Sequence, residues 1–218
     1  MINSFEQVVR ILSVEADAIE LAAARLDQDA VENALDVLSN CKGKIVVLGV
    51  GKSGVIAQKI SQTMTSTGTV AIFVHPSDAL HGSLGVITKE DVVIALSNSG
   101  ETDEILALLP ALKNRLIKII SIVGNLDSTL ARESSVVLDA SVDKEACPLN
   151  LAPTTSTTVA LSIGDAIAMT LMQSKGLTEQ DFAENHPAGR LGKRLTIKVK
   201  NLMHESPNVT ADADWLAV

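Results

Sequence analysis

The sequence predicts an α/β fold in which five parallel strands form a doubly wound sheet sandwiched between helices, preceded by N-terminal helices. Short runs of Val, Ile and Leu without polar alternation end in Gly or Ser. Such runs mark strands buried on both faces, and hence a parallel sheet. Segments with helical apolar spacing separate them, which is the order that βαβ units require. Apolar residues make up 46% of the 218 residues, enough for one α/β core and short for two.

Residues 1–41 open the chain as helix. Phe5, Val8, Leu12, Ile19 and Leu26 recur at near-heptad spacing, and Val31, Leu35 and Leu38 continue an apolar face after a break at residues 27–29. A stripe of this kind packs either on a partner subunit or on the chain's own core. The strand runs follow at residues 45–48, 70–74, 92–96, 118–123 and 136–138. After the third run, Ile105, Leu108, Leu109 and Leu112 fall at helical spacing, and Pro110 is expected to kink that helix. Residues 154–173 are uncharged except for Asp165 and predict a helix buried against the sheet or a neighbouring subunit. Residues 178–184 fit one more short helix before the run Asn185-His-Pro-Ala-Gly-Arg-Leu-Gly192. The expected organisation is therefore helices over 1–40, the sheet domain over 41–200, and a polar stub over 201–218.

Charge and composition exclude several functions. Lys and Arg total 18 against 26 Asp and Glu, a net charge of −8, whereas a phosphate backbone needs a basic face. The aromatic residues are Phe5, Phe73, Phe182 and Trp215, with no Tyr, so stacking platforms for bases or sugars are missing. No nucleic-acid partner is expected, and any sugar must be held by hydrogen bonds and charge. No stretch reaches the ~18 consecutive apolar residues of a membrane span. The opening MINSFEQVVR lacks a basic segment leading into an apolar one. Cys41 and Cys147 form neither a CxxC nor a disulfide framework, as suits reduced thiols in the cytoplasm.

Ligands of open parallel sheets bind beyond the carboxyl ends of the strands. After the first strand comes Gly49-Val-Gly-Lys-Ser-Gly54, which matches GxGxxG and contains GKS. A Walker A loop would need Gly where Val46 stands, and no acidic residue lies between Asp36 and Asp78 to hold a dinucleotide ribose. What remains is a tight turn offering N–H groups at a helix start, Gly51 and Ser53 among them, with Lys52 adding a positive charge. A plain βα turn with a solvated lysine is the simpler alternative. After the third strand comes Ser97-Asn-Ser-Gly-Glu-Thr102, where Ser97, Ser99 and Thr102 supply hydroxyls at another helix start. Two such loops suit a small phosphorylated ligand. Glu101, Asp103 and Glu104 are expected in the first turn of that helix, where acidic residues complement its dipole. His75 and His81 flank the loop after the second strand, Glu145 follows the fifth, and His186 precedes Pro187. Carboxylates and imidazoles around a phosphosugar equip a site for proton transfer beside a carbonyl. No His pair has HxH or HxxxH spacing, so no metal site is expected.

The segments GVGKSG, FVHPSDALHGSLG, SNSGET, KEACPLNLAPTTSTT and HPAGRLGKRL, in this order and spacing, resemble the arabinose 5-phosphate isomerase family, within the sugar isomerase (SIS) domain superfamily. The likeness covers roughly residues 40–200. It implies a flavodoxin-like five-stranded sheet, a homotetramer with sites shared between subunits, and interconversion of D-arabinose 5-phosphate with D-ribulose 5-phosphate, supplying Kdo for lipopolysaccharide or capsule. The family's key positions fall on Lys52, Glu104, Glu145 and His186, with His81 and His75 at the pocket and Gly51, Ser53, Ser97, Ser99 and Thr102 at the phosphate. Members commonly carry HGDLG where this chain has Ser83. Paired CBS domains usually follow in the family, and residues 201–218 resemble the opening of one, as in a natural single-domain member or a shortened chain. Regulation through CBS modules is not expected.

The chemistry so implied moves a proton between C2 and C1 through a cis-enediol(ate), with no redox cofactor. An imidazole with its ordinary pKa of ~6.5 suits both proton steps, so His186 is the first choice of base. Glu145 is the alternative, or orients the imidazole. Lys52 would stabilise the enediolate oxygen and His81 help open the ring. A phosphosugar-sensing module without activity, or an isomerase for another sugar phosphate, are the other readings.

Overall fold

The computed structural model describes residues 3–187, 192, 194, 197–201 and 203. The five apolar runs form β1 (Ile45–Gly49), β2 (Ala71–Val74), β3 (Val92–Ser97), β4 (Lys118–Val123) and β5 (Val136–Asp139). Every pairing is parallel, in the order β2-β1-β3-β4-β5. The helices are α1 (Ser4–Arg25), α2 (Gln28–Ser39), α3 (Gly51–Ser66), α4 (Pro76–Leu80), α5 (Asp103–Leu106), α6 (Leu109–Asn114), α7 (Thr129–Glu133), α8 (Thr155–Ser174) and α9 (Glu179–Asn185). The chain divides into two compact units, Met1–Leu177 with the sheet and Thr178–Val218 with α9.

Because side chains alternate across each strand, the sheet builds two cores. Val47, Ile94, Ile120 and Ile122 face α1, α2, α3 and α8, which contribute Ala22, Leu38, Ile60, Met64, Ile163 and Leu171. Val46, Leu48, Val93 and Ile119 face α4, α5, α6 and α7 through Ala79, Ile105, Leu112 and Leu130. With both faces covered, every residue of β1 and β3 is buried, which is why those strands read as continuous apolar runs.

The N-terminal break falls at Leu26 and Asp27. Asp27 caps α2 by accepting the N–H of Ala30 at 2.8 Å, and Asn3 and Glu6 close a capping box on α1. The α1 stripe turns outward, with Phe5 76% exposed and Val8, Leu12 and Ile19 also exposed, while Ala18 and Ala22 pack on the core. Of that stripe the chain's own core takes up only the last residue, Leu26, which packs with Val31, Leu35 and Leu38. Pro110 does more than kink its helix. Helix α5 ends at Leu106, and α6 starts at Leu109 with Pro110 in its first turn, where a missing N–H costs nothing. The loop after β2 contains α4 and a 3-10 turn at Ser83–Val86, held by Arg115 Nη1 donating to the carbonyls of Leu84 at 2.8 Å and Ile87 at 2.7 Å. Helix α8 is long and apolar enough to cross a membrane by length and composition, yet Val159, Ile163, Ile167 and Leu171 are buried in the core. Within the second unit, α9 starts in a capping box between Thr178 and Asp181. Apart from Asn201 and Met203, the expected stub over 201–218, Trp215 included, lies outside the described residues, as do 188–191.

At the amino end of the sheet, Asp91 locks β1 to β3. Its carboxylate accepts the N–H of Lys44 at 2.8 Å, that of Thr88 at 2.7 Å and the Lys44 ammonium at 2.7 Å. Burial pushes its pKa up, but the Lys44 and Thr88 hydrogen bonds outweigh this and hold it below the usual 3.8. Asp91→Asn should lower unfolding stability by about 2 kcal/mol in urea titrations near neutral pH, less than a fully buried pair because solvent reaches Lys44. A carboxylate with a lowered native pKa stabilises above its unfolded value. The penalty should thus be complete above pH 3.8 and fade as the pH falls through the native value.

Candidate active site

Strand order reverses between β1 and β3. From β1 the chain passes through α3 to β2 on one side, and from β3 through α5 and α6 to β4 on the other. Gly49 at the end of β1 lies beside Leu96 on β3, so the two glycine- and hydroxyl-bearing loops leave the sheet as neighbours. This is the switch point at which doubly wound sheets bind ligands. A small cavity of about 40 Å³ opens there, lined by Ser53, Ser97, Asn98, Gly124, Ser156 and Thr157 among others.

The first loop is shaped by close packing. A Cβ on Gly49 would come within 2.7 Å of the Ser53 carbonyl oxygen, and one on Gly54 within 2.8 Å of the Gly49 carbonyl oxygen. Gly51 takes a positive φ of 58° to enter α3. Val50 at the N-cap offers no side-chain acceptor, so the first N–H groups of this sixteen-residue helix stay available, where its dipole favours an anion. Lys52 is exposed beside them, and Ser53 lines the cavity.

The second loop is closed by its own hydroxyls. Ser97 Oγ, buried at the end of β3, accepts the N–H of Gly100 at 2.9 Å and pairs with Thr102 Oγ1 at 2.8 Å. Ser99 Oγ accepts the N–H of Glu101 at 3.2 Å. Ser99 Oγ, which only accepts, keeps its own proton to donate, and one hydroxyl proton of the Ser97–Thr102 pair stays free. Helix α5 starts at Asp103 with Thr102 as N-cap, so Asp103 and Glu104 occupy its first turn but Glu101 does not. The Glu101 carboxylate instead accepts the Thr129 N–H at 2.6 Å, a bond that draws its pKa below the usual 4.5. Glu104 is half-buried, and no hydrogen bond or ion pair engages its carboxylate among the described residues.

His75 caps α4, with Nδ1 accepting the Ser77 N–H at 3.2 Å and the ring edge-on to Phe73. His81 sits exposed at the other end of α4. Glu145 folds back onto the start of α8. One oxygen accepts Thr154 N–H at 2.7 Å, Thr154 Oγ1 at 3.0 Å and Ser156 N–H at 3.2 Å, and the other accepts a short bond from Ser156 Oγ. Burial raises its pKa, but these donors outweigh burial and hold it below the usual 4.5. Four donors on one carboxylate make Glu145 the cap that the N-cap residue Thr154 does not provide. His186 belongs to the second unit, at the C-cap of α9. Its ring stacks on Phe182 at 4.0 Å, and Nδ1 lies 2.8 Å from the Phe182 carbonyl oxygen. A carbonyl only accepts, so Nδ1 carries a proton, and in the neutral imidazole Nε2 is the nitrogen with the lone pair.

The first unit thus brings Ser53, Ser97 and the start of α8 to one cavity. Asn98, Gly124, Ser156 and Thr157 are lining residues to which sequence reading gave no role. The signal for Ser156 was the hydroxyl-rich run Thr154-Thr-Ser-Thr-Thr158 at the start of a helix. Gly100→Ala should distort this site, because its φ is 65° and a Cβ would overlap Ser128 Oγ. A loss of about 2 kcal/mol in unfolding stability is expected, read from chemical denaturation. Glu145→Ala should cost about 1 kcal/mol as a lost helix cap, read from chemical denaturation.

The SIS domain family matches residues 37–170. The arabinose 5-phosphate isomerase KdsD of Pseudomonas aeruginosa is 53% identical over 195 residues, which is 89% of this chain and 60% of that protein. KdsD of Escherichia coli K12 is 47% identical over 209 residues, 93% of this chain and 62% of that protein. The chain therefore spans about three-fifths of the length of these relatives. A solved Escherichia coli CFT073 protein in complex with arabinose 5-phosphate superposes with a TM-score of 0.80 at 42% identity, covering 85% of this chain and 100% of that one. The sheet order, the paired loops at its switch point and these matches together place the chain in the SIS domain family.

Proposed function

We propose that the protein is an aldose–ketose isomerase interconverting D-arabinose 5-phosphate and D-ribulose 5-phosphate. The observation that carries this is the pairing of two anion-binding loops at the switch point, in a chain 53% identical to an arabinose 5-phosphate isomerase. The phosphate binds the Gly51–Ser53 turn and the hydroxyls of Ser97, Ser99 and Thr102. Held there, it fixes the carbon skeleton for the chemical step.

The base takes the proton from C2 of the open-chain aldose and returns one to C1. The lone pair on His186 Nε2 fits this role, since the Phe182 carbonyl fixes the tautomer. Glu145 is spent on α8, and its lowered pKa makes it a weak base, so it is assigned to hold Thr154 and Ser156 in place. Lys52 faces the enediolate oxygen, Glu104 carries the hydroxyl proton, and His81 with His75 handles the sugar ring. The protein works as a cytoplasmic homotetramer in which the exposed α1 stripe packs between subunits and His186 serves a neighbour's site. Its product supplies Kdo for lipopolysaccharide or capsule.

Incubation with arabinose 5-phosphate should yield ribulose 5-phosphate. His186→Ala should lower kcat by ~100-fold or more with little change in KM, and Glu145→Gln should lose less. Near-normal turnover by His186→Ala beside an inactive Glu145→Gln would reverse the assignment. Tight sugar-phosphate binding without conversion would instead mark a sensor.

A further inference from the structure

An acidic residue inside a phosphate loop is a like charge beside a dianion. The structure commits the Glu101 carboxylate to the start of α7. Glu101 Oε1 accepts the Thr129 N–H at 2.6 Å, and Arg132, one turn further along α7, adds a favourable charge. Arg132 is itself held by Thr129 Oγ1 at 3.1 Å and by the Asp127 carbonyl. The adjacent N–H, that of Leu130, donates to the Gly100 carbonyl at 3.1 Å. Ser128, fully buried, fills the space where Gly100 has no Cβ. Loop residues 100 and 101 are thus fastened to consecutive N–H groups at the start of α7, while their own N–H groups go to Ser97 and Ser99.

We propose that Glu101 is a positioning residue: by tying the 97–102 loop to α7, it sets the affinity for the substrate phosphate without touching the substrate. This deepens the isomerase reading and rests on it for the identity of the substrate. Because Glu101 is exposed, its bond serves the loop and not the core, so affinity and stability separate.

The test measures kcat and KM for arabinose 5-phosphate, and the Kd of inorganic phosphate by calorimetry. Glu101→Ala should raise KM and the phosphate Kd together by ~tenfold, with kcat within about twofold. Glu101→Gln keeps an oxygen acceptor and should return both to within about threefold of the parent protein. Thr129→Pro deletes the donor at a helix position that suits proline, after a residue already extended at φ −73° and ψ 161°. It should reproduce the Glu101→Ala effect, and the double variant should add nothing. An unchanged or tighter phosphate Kd in Glu101→Ala, a loss confined to kcat, or no phosphate binding by the parent protein would overturn the proposal. Phosphate binding without turnover would sink the isomerase reading alone, and the ratio of phosphate Kd values would still decide the role of Glu101.

Discussion

A parallel sheet cannot reverse its strand order without leaving a gap between the two connections that diverge from neighbouring strands. In this protein the gap lies between β1 and β3, and the rest of the site depends on it. Gly49 and Gly54 let α3 start hard against the end of β1, so the free N–H groups of α3 arrive at the edge of the gap. Ser97 ends β3 on the other side, its hydroxyl anchoring the turn that leads into α5. Under the proposed function, phosphate affinity is thereby local. With a net charge of −8 the overall field does not attract a dianion, so the proposal assigns that work to helix N–H groups, hydroxyls and Lys52.

Two of the acidic residues near this gap, Glu101 and Glu145, are committed to helix starts. Glu145 caps α8 and Glu101 caps the first turn of α7, each satisfied by N–H donors. Both carboxylates serve as structural anions that hold a loop in register. The same logic separates the histidines. His75 spends Nδ1 as an acceptor for the Ser77 N–H, whereas His186 donates Nδ1–H to a carbonyl. Under the proposed mechanism, that difference in tautomer is what qualifies one imidazole as base.

Much of this was legible in the residues. The five strands follow from uninterrupted apolar runs, because a strand buried on both faces has no polar register to confuse it. The two loops follow from Gly and Ser clustered just past strands one and three. Legibility failed where tertiary bonds decide. Nothing local to Glu101 reveals that its partner is Thr129, 28 residues away. Nothing local to Glu145 distinguishes a base from a cap until Thr154 and Ser156 fold over it. Helix α4 is a single turn whose signals, His75 as cap and Pro76 at its first position, lie within a stretch that reads as loop. The outward turn of the α1 stripe was equally open, since an apolar spacing states which residues share a face and not what covers it.

The proposed proton transfer is tested most directly by running the reaction on arabinose 5-phosphate in deuterium oxide and locating the label by NMR. Abstraction at C2 by a protein base, with return at C1, predicts ribulose 5-phosphate carrying solvent deuterium at C1 and recovered arabinose 5-phosphate labelled at C2. Absence of solvent deuterium from both sugars after many turnovers at equilibrium would mean that hydrogen passes directly between the two carbons, and would contradict the enediol mechanism and the role of His186.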